Sequence, residues 1–133
     1  MEYYGKYRGK VVNNMDPMNL GRLIVLVPAI NEFPLSWAMP CVPYAGKGVG
    51  FLALPSIATN IWVEFEGGDS TYPIWTGCFW GEGELPAMEA PGTFVFKTNG
   101  VTVQIKDNNE GIEIKTPPDC PISLNGVNMR GLP

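Results

Sequence analysis

Sixteen glycines and thirteen prolines, 29 of 133 residues, punctuate this chain so densely that few helices fit anywhere. The longest stretch free of both runs between Pro55 and Gly67, no longer than one average helix of about 11–12 residues. Inside a helix a proline costs about 3 kcal/mol and a glycine about 1 kcal/mol relative to alanine. A helical bundle is therefore excluded. Yet 45% of the residues are hydrophobic and 11% aromatic, enough to build a packed core rather than a disordered chain. The expectation is an all-β protein with many turns.

Residue types missing from the chain narrow the chemistry. Histidine is absent, so imidazole general-base catalysis and histidine-ligated zinc are not expected. Cys41, Cys78 and Cys120 are odd in number and widely spaced, with no CxxC pair. They read as buried or unreactive thiols of a reducing compartment, not as a disulfide framework or a metal knuckle. Nine Lys and Arg against thirteen Asp and Glu leave a net charge of −4, which removes the usual electrostatic motive for binding nucleic acid. No run approaches the roughly 18 apolar residues of a membrane span. Residues 1–10 are polar and aromatic, with Lys6, Arg8 and Lys10, and are not expected to act as a secretion signal. The carboxylates Glu64, Glu66, Glu82, Glu84 and Glu89 read as solvated, whereas glycoside hydrolysis needs one acid in a pocket that raises its pKa. The GxGxG spacing of Gly46, Gly48 and Gly50 lacks the Lys-Ser/Thr of a phosphate loop, and Pro55 blocks a nearby helix N-terminus. No enzymatic activity, cofactor or metal is expected.

Along the chain, 3–12 reads as a first strand, and Asp16-Pro17 as a turn in which proline presets φ. Residues 23–27 (LIVLV) are apolar on both faces, so that strand is expected to be covered on both sides. In 37–42 the proline Pro40 demotes the strand to an edge or a bulge. Residues 61–66 carry the clearest alternation, with Ile61, Val63 and Phe65 facing one way and Trp62, Glu64 and Glu66 the other. Gly67-Gly68-Asp69 makes the turn, and 73–80 is the returning strand. Residues 82–92 (EGELPAMEAPG) read as a linker. Beyond it, period two resumes through Phe94, Phe96, Val101, Val103, Ile105, Ile112 and Ile114. Asn99-Gly100 and 107–111 supply the turns. The tail from Pro117 holds at most one short strand, around 122–124. This gives a barrel over 1–81, a linker over 82–92 and a small strand segment over 93–133. Five short strands with glycine-rich corners suit an OB-type barrel. A three-stranded appendage buries too little apolar area to stand alone in water.

The run Met15-Asp16-Pro17-Met18-Asn19-Leu20-Gly21-Arg22, leading into an apolar strand, resembles the opening of the OB-fold domain of central-spike proteins in contractile tails. That group comprises phage baseplate assembly protein V and the related VgrG spikes of type VI secretion. The remaining pieces follow in the family's order: Trp37, the glycines Gly46, Gly48 and Gly50, Leu54-Pro55, Val63 through Gly67-Gly68-Asp69, then Pro73-Ile74 and Gly77. The resemblance spans 3–81.

What it implies is an N-terminal OB barrel followed by strands that three chains wind into an intertwined trimeric β-prism or β-helix. The homotrimer would sit on a baseplate hub protein in a virion tail or an extracellular phage-tail-like particle, made in the bacterial cytoplasm. Contraction would drive it into the target envelope, with transient membrane contact and no chemistry. The segment after the barrel is short, so the resemblance implies a minimal spike completed by a separate PAAR-like tip protein, and no fused lysozyme domain. The residues alone leave open whether the C-terminal strands trimerise or fold back on their own barrel. Two other functions stay in view: a single-stranded nucleic-acid binder stacking bases on Trp37, Trp62 or Trp75, and a hub or adaptor protein of a non-contractile tail.

Overall fold

The structure, a computed structural model, describes residues 1–86, 91–107 and 109–129. Two compact units form, Met1–Glu84 and Leu85–Pro133. The first is a closed five-stranded barrel. In chain order it contains β1 (Tyr7–Asn13), β2 (Leu23–Leu26), β3 (Trp37–Pro40), the small hairpin β4 (Ala45–Gly46) and β5 (Val49–Gly50), β6 (Asn60–Phe65) and β7 (Pro73–Cys78). The barrel order is β1-β2-β3-β7-β6, with β6 returning to β1. Every neighbouring pair is antiparallel except β3 and β7, which run parallel. Among the described residues no α-helix occurs, only a 3-10 turn at Glu66–Gly68. The expected all-β class and OB-type barrel are both found.

The core is read directly from period two. Inward-pointing Val11, Leu23, Val25, Val27, Ala38, Ile61, Val63, Phe65 and Trp75 are buried together. In β6 the residues Ile61, Val63 and Phe65 alternate with the half-buried Trp62 and Glu64, as the sequence predicts. The β6–β7 hairpin forms where Gly67 and Gly68 take φ of 60° and 81°. There the Asp69 carboxylate accepts the Thr71 amide at 2.9 Å, which holds it below the ordinary aspartate range.

In β2, Leu23 and Val25 are buried inside the barrel, while Ile24 and Leu26 stay half-buried on its outer face within the single chain. One expectation is corrected: Pro40 does not make β3 an edge, because a closed barrel has none. Trp37 and Ala38 pair with β2, whereas Met39 and Pro40 pair with β7. The proline therefore stands past the β2 ladder, and the next amide, Cys41 N, donates to Trp75 O at 2.9 Å. Strand β1 begins at Tyr7 rather than Tyr3, because Gly5 turns left-handed ahead of it.

The second unit holds a three-stranded antiparallel sheet of β8 (Phe94–Lys97), β9 (Thr102–Lys106) and β10 (Gly111–Lys115), with β9 in the middle. The Asn99-Gly100 turn falls where expected, but neither residue takes positive φ. Instead Thr98 Oγ1 accepts the Val101 amide at 3.1 Å. The tail forms a hairpin, β11 (Ser123–Leu124) and β12 (Val127–Asn128), where one strand was expected. Asn125 and Gly126 at φ of 51° and 80° make its tight left-handed turn. Of the sequence readings, Asn108 of the 107–111 turn, Glu89 and the middle of the 82–92 linker lie outside the described residues, as do 130–133.

Gly9 marks the tightest point of the barrel wall. A Cβ there would stand 2.9 Å from Leu26 O and 3.3 Å from the side chains of Val27 and Val63. Gly9→Ala forces β1 and β2 apart, and overpacking of this kind costs about 1–3 kcal/mol. A urea titration of the variant should show its midpoint lowered with the slope unchanged.

Candidate functional site

The loop 14–22 between β1 and β2 is built around one carboxylate. Asp16 Oδ1 accepts the Met18 amide at 2.9 Å and Arg22 Nη2 at 2.8 Å. Its Oδ2 accepts the Leu20 amide at 2.9 Å, Arg22 Nε at 3.0 Å and the Arg22 amide at 3.2 Å. Two-pronged contact of this kind is the geometry an arginine fork supplies and a lysine cannot. The Arg22 guanidinium, followed by the three amides, holds the Asp16 carboxyl far below the usual carboxylate range. With its lone pairs taken, Asp16 cannot shuttle protons.

Arg22 and its neighbours then fasten the loop to the barrel. The guanidinium carbon sits 5.3 Å from the Trp37 ring centre, Trp75 Nε1 donates to Gly21 O at 3.0 Å, and Asn14 Nδ2 donates to Pro55 O at 3.0 Å. Asn19 and Gly21, both with positive φ, carry the chain around the carboxylate.

The residues singled out by sequence do not converge on one pocket. Asp16, Gly21 and Arg22 belong to the lock just described, Leu20 joins it through its amide alone, and the Pro17 and Leu20 side chains are exposed. Gly46, Gly48 and Gly50 lie in the exposed β4–β5 hairpin. Gly67, Gly68, Asp69 and Pro73 belong to the β6–β7 turn at the opposite end of the barrel. Gly77 sits where the β6–β7 register slips between Ile61 and Val63. Of the tryptophans, Trp75 is buried in the core and Trp37 carries Arg22. Trp62 stacks with Phe79 at 4.6 Å beneath Arg8.

Solvated charges and thiols follow a similar pattern. Glu64 pairs with Lys6 at 3.3 Å on the barrel's outer face. Glu84, expected to be a solvated linker carboxylate, instead accepts from Asn60 Nδ2 at 3.2 Å and from the Gly81 amide. Cys41, Cys78 and Cys120 are free and exposed, which corrects the expectation of buried thiols. Partial desolvation pushes the Cys78 thiol up. Among the described residues no group of three or more Cys, Asp or Glu is placed to hold a metal ion.

The seven apolar residues of the C-terminal segment do come together. Cross-strand register sets Phe94, Ile105 and Ile112 in one row and Phe96, Val103 and Ile114 in the next. Both rows share one face of the sheet, and Val101 stands half-buried just ahead of β9. Phe94, Phe96 and Ile114 are exposed, and Ile112 retains 71% exposure. The other face is polar. Around an open cavity of about 300 Å³, Lys97 Nζ reaches Thr102 Oγ1 at 3.1 Å and Lys115 pairs with Glu113 at 3.3 Å.

Sequence reading missed a second apolar surface. Between Cys41 and Ala58, Lys47 is the single formal charge, and Tyr44, Val49, Phe51, Leu52, Leu54 and Ile57 are all exposed. That charge-poor stretch of 18 residues was the available signal.

The Asp16–Arg22 lock predicts a pH dependence. The folded-state pKa of Asp16 lies below its unfolded value of about 3.9. Its contribution is thus present above pH 4 and is lost as the pH falls below that value. Asp16→Asn should lower the urea midpoint at pH 7 and flatten the midpoint's decline between pH 5 and pH 2.

Comparison with known proteins agrees with this architecture. No curated protein matches the chain. Residues 7–80 match the model of the type VI secretion system/phage-baseplate injector OB domain. That span covers β1 through β7 and every residue of the closed barrel. It includes the Asp16–Arg22 lock, the β4–β5 hairpin and the β6–β7 turn. By this match over more than half its length, the chain belongs to the phage-baseplate and type VI secretion injector OB-domain family.

Proposed function

We propose that this chain is the trimeric central spike, or spike base, of a contractile tail or a tail-like injection particle. The family membership supports a structural role in a baseplate. The observation that carries the finer reading is the sheet of β8, β9 and β10, whose two apolar rows leave Phe94, Phe96, Ile112 and Ile114 exposed on either side of the half-buried Val103 and Ile105. Fully burying a Val, Ile or Phe side chain contributes roughly 1.5–3 kcal/mol, and these rows forgo much of that in a single copy. Among the described residues the sheet also ends in two unpaired edges, β8 and β10. Three copies wound about a common axis bury the rows against each other and satisfy the edges.

In this reading Phe94, Phe96, Val101, Val103, Ile105, Ile112 and Ile114 form the trimer core, and the barrel sits on a baseplate hub protein. A separate tip protein of the PAAR type caps the end, and the assembly works mechanically. Rigidity comes from interlocked backbone hydrogen bonds, so the force of contraction is transmitted without any reacting group. The buried position of Trp75 and the covered faces of Trp37 and Trp62 weigh against base stacking as the role of the barrel.

Light scattering on the purified full chain should give three times the mass of the 14.5 kDa polypeptide. Ile112→Asp with Ile114→Asp should reduce it to a monomer while the barrel's thermal transition survives. A wild-type chain that stays monomeric at micromolar concentration would overturn the reading.

A further inference from the structure

The two ends of the barrel differ in chemistry. Register fixes which loops share an end. Asn13 closes β1, Leu23 opens β2, Pro40 closes β3, Asn60 opens β6 and Cys78 closes β7, all at one end. Residues 14–22, 41–59 and 79–84 therefore emerge together, and the Asn14–Pro55 hydrogen bond joins the first two loops. At the opposite end the rings of Tyr3, Tyr7 and Phe65 are in mutual contact at 5.7–6.0 Å, and Tyr4, Phe33 and Tyr72 are exposed one by one on three separate segments.

At the first end the exposed apolar side chains are more numerous and mostly fall on one connection. Met18, Tyr44, Phe51, Leu52, Leu54 and Ile57 are 47–79% exposed. The 41–58 stretch holds one charge where the chain average of 17% would give three. Exposed apolar side chains gathered in this number at one barrel end point to an interaction site. The six side chains expose on the order of 700 Å², close to the roughly 800 Å² that each partner contributes to a standard stable interface.

The covalent path suggests the occupant. Glu84, the last residue of the barrel unit, follows β7 out of this same end, and the chain continues into the unit that carries β8–β10. Three copies joined through those sheets hold three of these barrel ends on short tethers, which raises their mutual effective concentration to about the millimolar range. A neutral surface suits this arrangement, since like charges meeting around a threefold axis repel. The side-chain-free Gly46, Gly48 and Gly50 of the β4–β5 hairpin also permit close backbone approach.

We infer that residues 44–57, with Met18 of the same barrel end, form the contact between the barrels of neighbouring copies in the homotrimer. This rests on the trimer reading given above and adds to it a second interface. The first is held by the C-terminal sheet and this one by the barrel.

Hydrogen exchange followed by mass spectrometry on the full chain tests both and separates them. In the wild-type trimer, amides of 44–57 should exchange at least tenfold more slowly than in the monomeric Ile112→Asp/Ile114→Asp variant. Phe51→Ser with Leu52→Asp should keep the trimer mass by light scattering and lose that protection. A wild-type trimer whose 44–57 amides exchange as fast as in the monomer overturns the barrel contact and leaves the C-terminal trimer standing. The patch is then free for a different protein, such as a hub. Protection that is the same in trimer and monomer, or that survives Phe51→Ser/Leu52→Asp, also overturns it, because the loop is then shielded by its own fold. A monomeric wild type overturns both readings.

Discussion

The parallel pairing of β3 with β7 is the constraint from which the rest of the first unit follows. Four antiparallel neighbours would by themselves leave an open sheet with two edges and one bare apolar face. Joining Met39 and Pro40 to Ile74 and Trp75 closes that sheet on itself. It also turns Val11, Val25, Ala38, Ile61 and Val63 toward a common axis. A parallel contact between strands 33 residues apart cannot be made by a tight turn. The crossover is made by the 41–59 connection together with β6, and the length of that connection carries the β4–β5 hairpin and the exposed apolar residues.

The Asp16–Arg22 lock occupies the β1–β2 connection at the same end of the barrel. Two positive-φ residues and an uncapped stretch of backbone amides would make 14–22 an unstable excursion. One carboxylate gathers three of those amides and a guanidinium, and Trp75 reaches from the core to hold Gly21. The loop is thus rigid for electrostatic reasons and anchored for packing reasons. Polar chemistry at this barrel end is used up internally, and the surface left outward is largely apolar.

Much of this was legible in the sequence, and the exceptions have a common cause. The alternation in Ile61-Trp62-Val63-Glu64-Phe65 and the Gly67-Gly68-Asp69 turn depend on neighbours a few residues away, and both formed as read. So did the two rows of β8–β10, because register there is set by short turns. Pro40 misled because its consequence depends on which strand lies beside it, and β7 is distant in the chain. For residues 23–27 the all-apolar run marked both faces of β2, and the single chain buries one of them fully and the other by half. The Asn125-Gly126 hairpin was available from its dipeptide but hidden by the prolines around it. For the site, each member of the Asp16–Arg22 pair was visible by itself. Their union was not, since it depends on Asn19 and Gly21 turning left-handed between them. Glu84 was hidden likewise, its partner Asn60 lying on β6.

The chemistry of that pair bears on what a family fingerprint preserves. Asparagine has one acceptor oxygen where Asp16 uses two, glutamate is a methylene too long for the inner amides, and lysine cannot supply the fork that Arg22 offers. A chain with this loop is held to the same two residues six positions apart, whatever its barrel touches outside. The Asp16–Arg22 pair is accordingly a joint in the scaffold, its carboxylate taken up by donors from its own loop. Whatever this barrel touches must be met by side chains that the joint leaves free.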